Sequence, residues 1–248
     1  MMRRRLFLIS TFILLTGLIG WYCANQLDTP TSPTSDKATN PSPGGALSLN
    51  NSGSPDVPLA QEGFPDLTVD SARLKQSIEI VTRTIDLTNC AVVEGCASAG
   101  ARRLLLFDVA MPNFGNADLV VGNPRKNPSL FEYSPCHRHY HYKNFSEYRL
   151  KDGSNVVIRS HKQAFCFEDV LRYWNGYPKH GYNCNKQGIS VGWADLYGKY
   201  LDCQWIDITD VNPGNYSIEV EINMAGAFDE GPNTYPNIVR VPVTIPSS

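Results

Sequence analysis

Hydrophobic and polar positions divide the chain into three stretches. Leu6 to about Cys23 is apolar, broken only by Ser10, Thr11, Thr16 and two glycines. From Asp28 to about Pro58 large apolar residues almost vanish, and Pro, Ser, Thr, Asn and Gly take their place. From about Phe64 onward, short β-prone runs alternate with turn residues: RLLLFDV at 103–109, DLVV at 118–121, VVIRS at 156–160, QAFCFE at 163–168 and DCQWIDIT at 202–209. The clearest is PGNYSIEVEIN at 213–223, where a Pro213-Gly214 turn leads into Tyr216, Ile218, Val220 and Ile222 alternating with Ser217, Glu219 and Glu221. That pattern predicts a half-buried strand with one wet face. IVRVPV at 238–243 is expected to pair beside it, with Pro242 suited to an edge. Residues 69–80 either begin a helix or continue as strand. The predicted fold is mainly β, a loop-rich antiparallel β-sandwich with little helix.

The three stretches imply an organisation. Arg3, Arg4 and Arg5 ahead of the apolar run make residues 1–27 a signal peptide or an N-terminal membrane anchor. Trp21 and Tyr22 stand where a cleavage site would have small residues, which favours retention. RRLFL at Arg4 to Leu8 partly resembles a twin-arginine export signal, although Arg3 replaces its usual small hydroxyl residue. Residues 28–63 cannot bury enough surface to offset their ordering entropy and read as a flexible linker. Residues 64–248 then form one exported domain, extracellular or periplasmic. Six cysteines fall in it, Cys90, Cys96, Cys136, Cys166, Cys184 and Cys203, and behind an export signal an even number reads as three disulfides. Fifteen pairings are open, and Cys136 beside His137 could instead bind metal. A net charge of −2, with 22 Lys and Arg against 24 Asp and Glu, gives no electrostatic case for nucleic acid.

The candidate chemistry lies in FEYSPCHRHYHYKNFSEY at 131–148. It puts His137, His139 and His141 at every second residue in a chain with only five histidines. Side chains at that period share one face of a strand, and three neutral imidazoles suit copper or zinc. Same-face residues of a flat strand stand about 6.5–7 Å apart, so holding one ion requires a bend, bulge or twist. An irregular strand is therefore expected. The plain alternative is a surface strand whose histidines meet only water.

Three strings together, CHRHYH at 136–141, HKQAFCFED at 161–169 and DLYGKYLDCQWIDITDVNPGNY at 195–216, resemble the lysyl oxidase catalytic domain, in order and across roughly Pro65 to Val243. The resemblance implies copper on His137, His139 and His141. It also implies a lysine tyrosylquinone made by joining Lys162 to Tyr197, with Asp195, two residues before that tyrosine, as proton acceptor. It pairs Cys90 with Cys136, Cys96 with Cys203, and Cys166 with Cys184. A fourth family pair is missing, with Trp193 at one of its positions. Some family members bind calcium between an early Pro-Asp-Leu and a late acidic loop. Asp66, Leu67, Asn233 and Asn237 are the corresponding residues, with Asn233 where a carboxylate is expected and Pro236 replacing an asparagine.

These residue types suit the implied chemistry. Imidazole-bound copper exchanges single electrons and engages dioxygen, so a nearby phenol can become a quinone, which a neutral lysine can attack. Lys162 must shed its proton for that step. A carboxylate can then take a proton from the substrate α-carbon, and hydrolysis releases the aldehyde. The expected activity is oxidation of a primary amine, peptidyl lysine or a smaller one, by dioxygen, with release of hydrogen peroxide and ammonia. No obligate protein partner is implied. Glu132, Glu147, Glu168 and Asp169 either attract cationic amines or are ordinary solvated charges. The alternatives are an exported copper-binding β-sandwich for storage, sensing or adhesion, which needs no Lys162 and Tyr197 pair, and a zinc hydrolase with a metal-activated water.

Overall fold

The computed structural model describes residues 63–247 except 165, 233 and 234, and leaves out the side chains of 161–164 and 225. The expected signal or anchor and the linker lie outside the described residues, as does Asn233. Among the described residues no helix is long and apolar enough to cross a membrane.

The chain opens with a short helix, α1 (Ser71–Ser77), whose first turn is capped by Asp70 accepting a hydrogen bond from the Arg73 N–H. It passes at once into β1 (Glu79–Ile85), so residues 69–80 contain both of the expected states. A single turn, α2 (Cys90–Val93), precedes β2 (Gly100–Leu106), β3 (Val109–Pro112) and β4 (Leu119–Gly122). Then come β5 (Phe131–Ser134), the long β6 (His139–Asp152) and β7 (Asn155–Ala164). Short strands β8 (Leu171–Arg172), β9 (Gln187–Ile189), β10 (Trp193–Tyr197) and β11 (Trp205–Asp207) lead to β12 (Gly214–Glu221) and β13 (Ile238–Ile245).

The strands make four antiparallel sheets: β1-β2-β11, β3-β10-β8, β4-β9, and a larger one in the order β13-β12-β6-β5 with β7 also on β6. The mainly β architecture read from the sequence is the one found. One core joins the sheets, with Leu105, Phe107, Phe145, Tyr148, Phe167, Tyr197, Ile218 and Val241 among its members. A smaller cluster of Ile85, Ala91, Leu104, Leu106 and Trp205 packs around Cys203 beneath α2. The disulfides Cys90–Cys136, Cys96–Cys203 and Cys166–Cys184 tie the loops to these sheets.

Two local expectations are corrected. The run 163–168 is no separate strand: 163–164 finish β7, and residues 166–169 lie outside any strand. Glu219, expected on the wet face of β12, is only 2% exposed. Arg149, Lys151 and Arg240 close over it, so its charge is buried with partners. Pro242 does lie on an edge strand, opposite Ser217 of β12.

Candidate metal and quinone site

The histidine motif is a hairpin. Ser134 of β5 pairs with His139 of β6, and residues 135–138 form the turn between them. Arg138 takes a left-handed conformation (φ 60°) and donates its N–H to the Ser134 carbonyl at 2.8 Å. His137 therefore stands in the turn, not on the strand face predicted for all three. The turn supplies the convergence that a flat strand would deny. The ring centroids of the three imidazoles lie 5.0–5.7 Å apart, and His139 Nε2 is 3.2 Å from His141 Nε2. His141 is buried. Across His139 and His141 the β5–β6 register is unbroken, so the irregular strand expected at the motif is not found there; the β6–β7 register shifts only further along, between Tyr142 and Ser146, where Asn144 has a left-handed backbone.

An acidic residue that sequence reasoning passed over stands beside the rings. Glu94 Oε2 lies 3.2 Å from His137 Nε2, while Glu94 Oε1 accepts a hydrogen bond from Ser134 Oγ at 2.6 Å. Its signal was its position in CAVVEGC, between two cysteines that both become crosslinked. Ligand atoms of Glu94, His137 and His141 all fall within 4.8 Å of one another, and so do those of Cys90, His137 and Asp202.

Asp195 and Tyr197 sit two apart on β10, paired with Met111 and Val109 of β3, and are 3% and 2% exposed. Burial, reinforced by the nearby Asp195 and Tyr148, pushes the Tyr197 phenol well above its ordinary range. Burial and then the Glu168 carboxylate push Asp195 well above the usual carboxylate range, against the Leu196 N–H that Asp195 Oδ1 accepts at 2.8 Å. Tyr148 is fixed by donating its hydroxyl to Gln204 Oε1 at 2.9 Å, and Gln204 in turn donates to the Phe107 carbonyl. The β6–β7 register sets Lys162 opposite Ser146, two residues before Tyr148.

The other acidic residues separate into roles. Glu147 is buried in ion pairs with Arg149 and Arg159. Asp169 is buried and accepts from the N–H groups of Gly181, Tyr182 and Ser190 and from Ser190 Oγ, which makes it a loop organiser. Glu132 is exposed opposite His141 in the β5–β6 register. Glu168 alone acts on Asp195, and its own carboxyl is raised by burial. His180 pairs with Asp118.

A second oxygen cluster joins the two ends of the domain. Asp66 Oδ1 accepts the Tyr235 N–H, and Glu230 accepts from the Leu67 N–H at 3.2 Å and from Asn237 Nδ2 at 2.7 Å. The Asn237 side-chain carbonyl oxygen is buried without a hydrogen-bond partner among the described residues. Glu230, absent from the sequence-based set, is buried, and burial raises its carboxyl.

The family described as lysyl oxidase matches residues 65–241. The chain is 35% identical over 193 residues to protein-lysine 6-oxidase of Gallus gallus and likewise of Homo sapiens, covering 73% of this chain and 45% of each relative. It is 34% identical over 193 residues to protein-lysine 6-oxidase of Sus scrofa, covering 73% of this chain and 76% of that protein. The chain thus spans less than half the length of the first two of these relatives.

Proposed function

This chain belongs to the lysyl oxidase family, and from that premise we propose that it is an exported copper-dependent amine oxidase that converts a primary amine to an aldehyde with release of hydrogen peroxide and ammonia. The observation that carries the reading is the convergence of three imidazoles on a hairpin in a chain that also buries Tyr197 against Asp195. An all-nitrogen set of that kind fits copper, which supplies one-electron chemistry with dioxygen when bound. His137, His139 and His141 hold it.

Tyr197 is the residue modified, joined to Lys162 as lysine tyrosylquinone. What supports the pairing is the β6–β7 register, which sets Lys162 opposite Ser146, two residues before the Tyr148 that acts electrostatically on Tyr197. The dry surroundings of Tyr197 suit this role, because a buried phenol keeps its proton until oxidised. Asp195 is the base that takes the proton from the substrate α-carbon. A carboxyl raised by burial is better matched to proton abstraction near neutral pH than an exposed one. Three disulfides suit an oxidising compartment, in line with export by residues 1–27 and a tether over 28–63. Calcium at Asp66, Leu67 and Asn237, with Asn233 and Glu230, completes the proposal; the all-oxygen donors, and an Asn237 carbonyl oxygen with no hydrogen-bond partner among the described residues, suit a hard cation.

The test is peptide mass spectrometry on the full chain after copper loading in air. A covalent species joining the Lys162 and Tyr197 peptides is expected, with amine-dependent peroxide release that Tyr197→Phe abolishes. Full copper occupancy with both peptides unmodified would overturn the oxidase reading in favour of a copper-binding module.

A further inference from the structure

The α2 turn has a purpose that its size does not suggest. Four helical residues with no charge in the first turn cannot sustain a helix alone. The segment is instead clamped covalently at both ends, by Cys90–Cys136 and by Cys96–Cys203. The first clamp attaches it next to His137 and the second next to Asp202. Glu94 lies between the clamps, with its N–H bonded to the Cys90 carbonyl at 2.8 Å. Its side chain is 23% exposed and is aimed by Ser134 Oγ, which occupies Oε1 and presents Oε2 to the imidazoles.

We infer that Glu94 is a fourth protein ligand of the metal held by His137, His139 and His141, an inference that rests on the copper reading above. Neighbouring ligand atoms around one copper or zinc ion stand about 2.8–3.4 Å apart when each is about 2.0–2.1 Å from the metal. Glu94 Oε2 to His137 Nε2, at 3.2 Å, and His139 Nε2 to His141 Nε2, also 3.2 Å, both have the length of such an edge. Glu94 shares its cluster with two of the histidines. Asp202 shares its cluster with His137 and the Cys90 sulfur, and a disulfide sulfur is no thiolate ligand. An anionic oxygen lowers the net charge of the bound Cu(II) site by one and favours the oxidised ion.

The experiment loads the full chain with Cu(II) and compares the protein with its Glu94→Gln and Ser134→Ala variants by chelator competition and electron paramagnetic resonance. Glu94→Gln is expected to weaken Cu(II) binding by more than the roughly 10–100-fold typical of an outer-sphere partner and to move g∥ and A∥. Ser134→Ala is expected to weaken binding within that range and keep the spectrum. An unchanged Glu94→Gln spectrum, with or without weaker binding, overturns the ligand assignment while the histidine site stands. Loss of three-imidazole copper in the unmutated protein overturns both readings. Should Glu94→Gln not fold, a crystal structure of the copper-loaded unmutated protein decides the matter: a Glu94 oxygen about 2.0–2.2 Å from copper supports it, and a longer separation overturns it.

Discussion

Asp195 carries two consequences of one fact, its burial. A carboxyl inside the core, beside Glu168, holds its proton to higher pH than a solvated one. Proton abstraction requires the ionised form, so amine turnover should rise with pH through a value above the usual carboxylate range. Asp195→Asn keeps the size and removes the base. Its kcat should fall by about 10²–10⁴-fold while the Lys162–Tyr197 crosslink still forms, checked by steady-state peroxide release beside peptide mass spectrometry. Loss of the crosslink in this variant would instead assign Asp195 to cofactor formation. Glu168→Gln removes a negative neighbour, which should move the pH profile of turnover to lower pH. An unmoved profile would separate Glu168 from the site.

The β5–β6 hairpin works because its turn is not free. Cys136, next to His137, is bonded to Cys90, and Arg138 closes the turn onto Ser134. Replacing Cys90 and Cys136 together by alanine should cost about 2–4 kcal/mol in stability. It should also weaken copper binding more than replacing Cys166 and Cys184, whose bridge lies away from the histidines in sequence. Equal affinities in the two double variants, measured by chelator competition, would disconnect the bridge from the site. The hairpin also marks where sequence reading stops. A period of two located the histidines and led to the expectation of an irregular strand, but could not tell that His137 leaves the strand, because the period does not mark where the hairpin turn falls or that Cys136 is bonded to Cys90. The alternation of β12 identified a strand, yet not the fate of Glu219, since its covering cations come from β6 and β13. Glu94 and Glu230 were hidden for the same reason. Each is an ordinary acidic residue until a contact distant in sequence brings it to imidazoles or to the Leu67 N–H.

At the scale of the whole molecule, two buried carboxyls set opposite limits on stability. Burial raises the Glu219 carboxyl, but hydrogen bonds from Arg149 and Arg240 outweigh it and hold the group at about 2 against 4.5 in the unfolded chain. Between those values the unfolded state binds more protons, so stability falls as pH drops from 4.5 toward 2. Asp195 has the reverse sign. Its folded form keeps a proton that the unfolded chain has released above about 3.8, so stability falls as pH climbs from there toward the raised folded value. The thermal midpoint of the metal-free protein should therefore pass through a maximum on the acid side of neutrality. Glu219→Gln should flatten the acid limb and, by taking one anion from Arg149, Lys151 and Arg240 while Arg149 keeps Glu147 and Glu221, lower the midpoint at pH 7. Asp195→Asn should flatten the opposite limb and raise the midpoint at pH 7. Calorimetry from pH 2 to 8 on the three proteins checks both signs, and a common pH dependence in all three would assign acid sensitivity to groups other than these two.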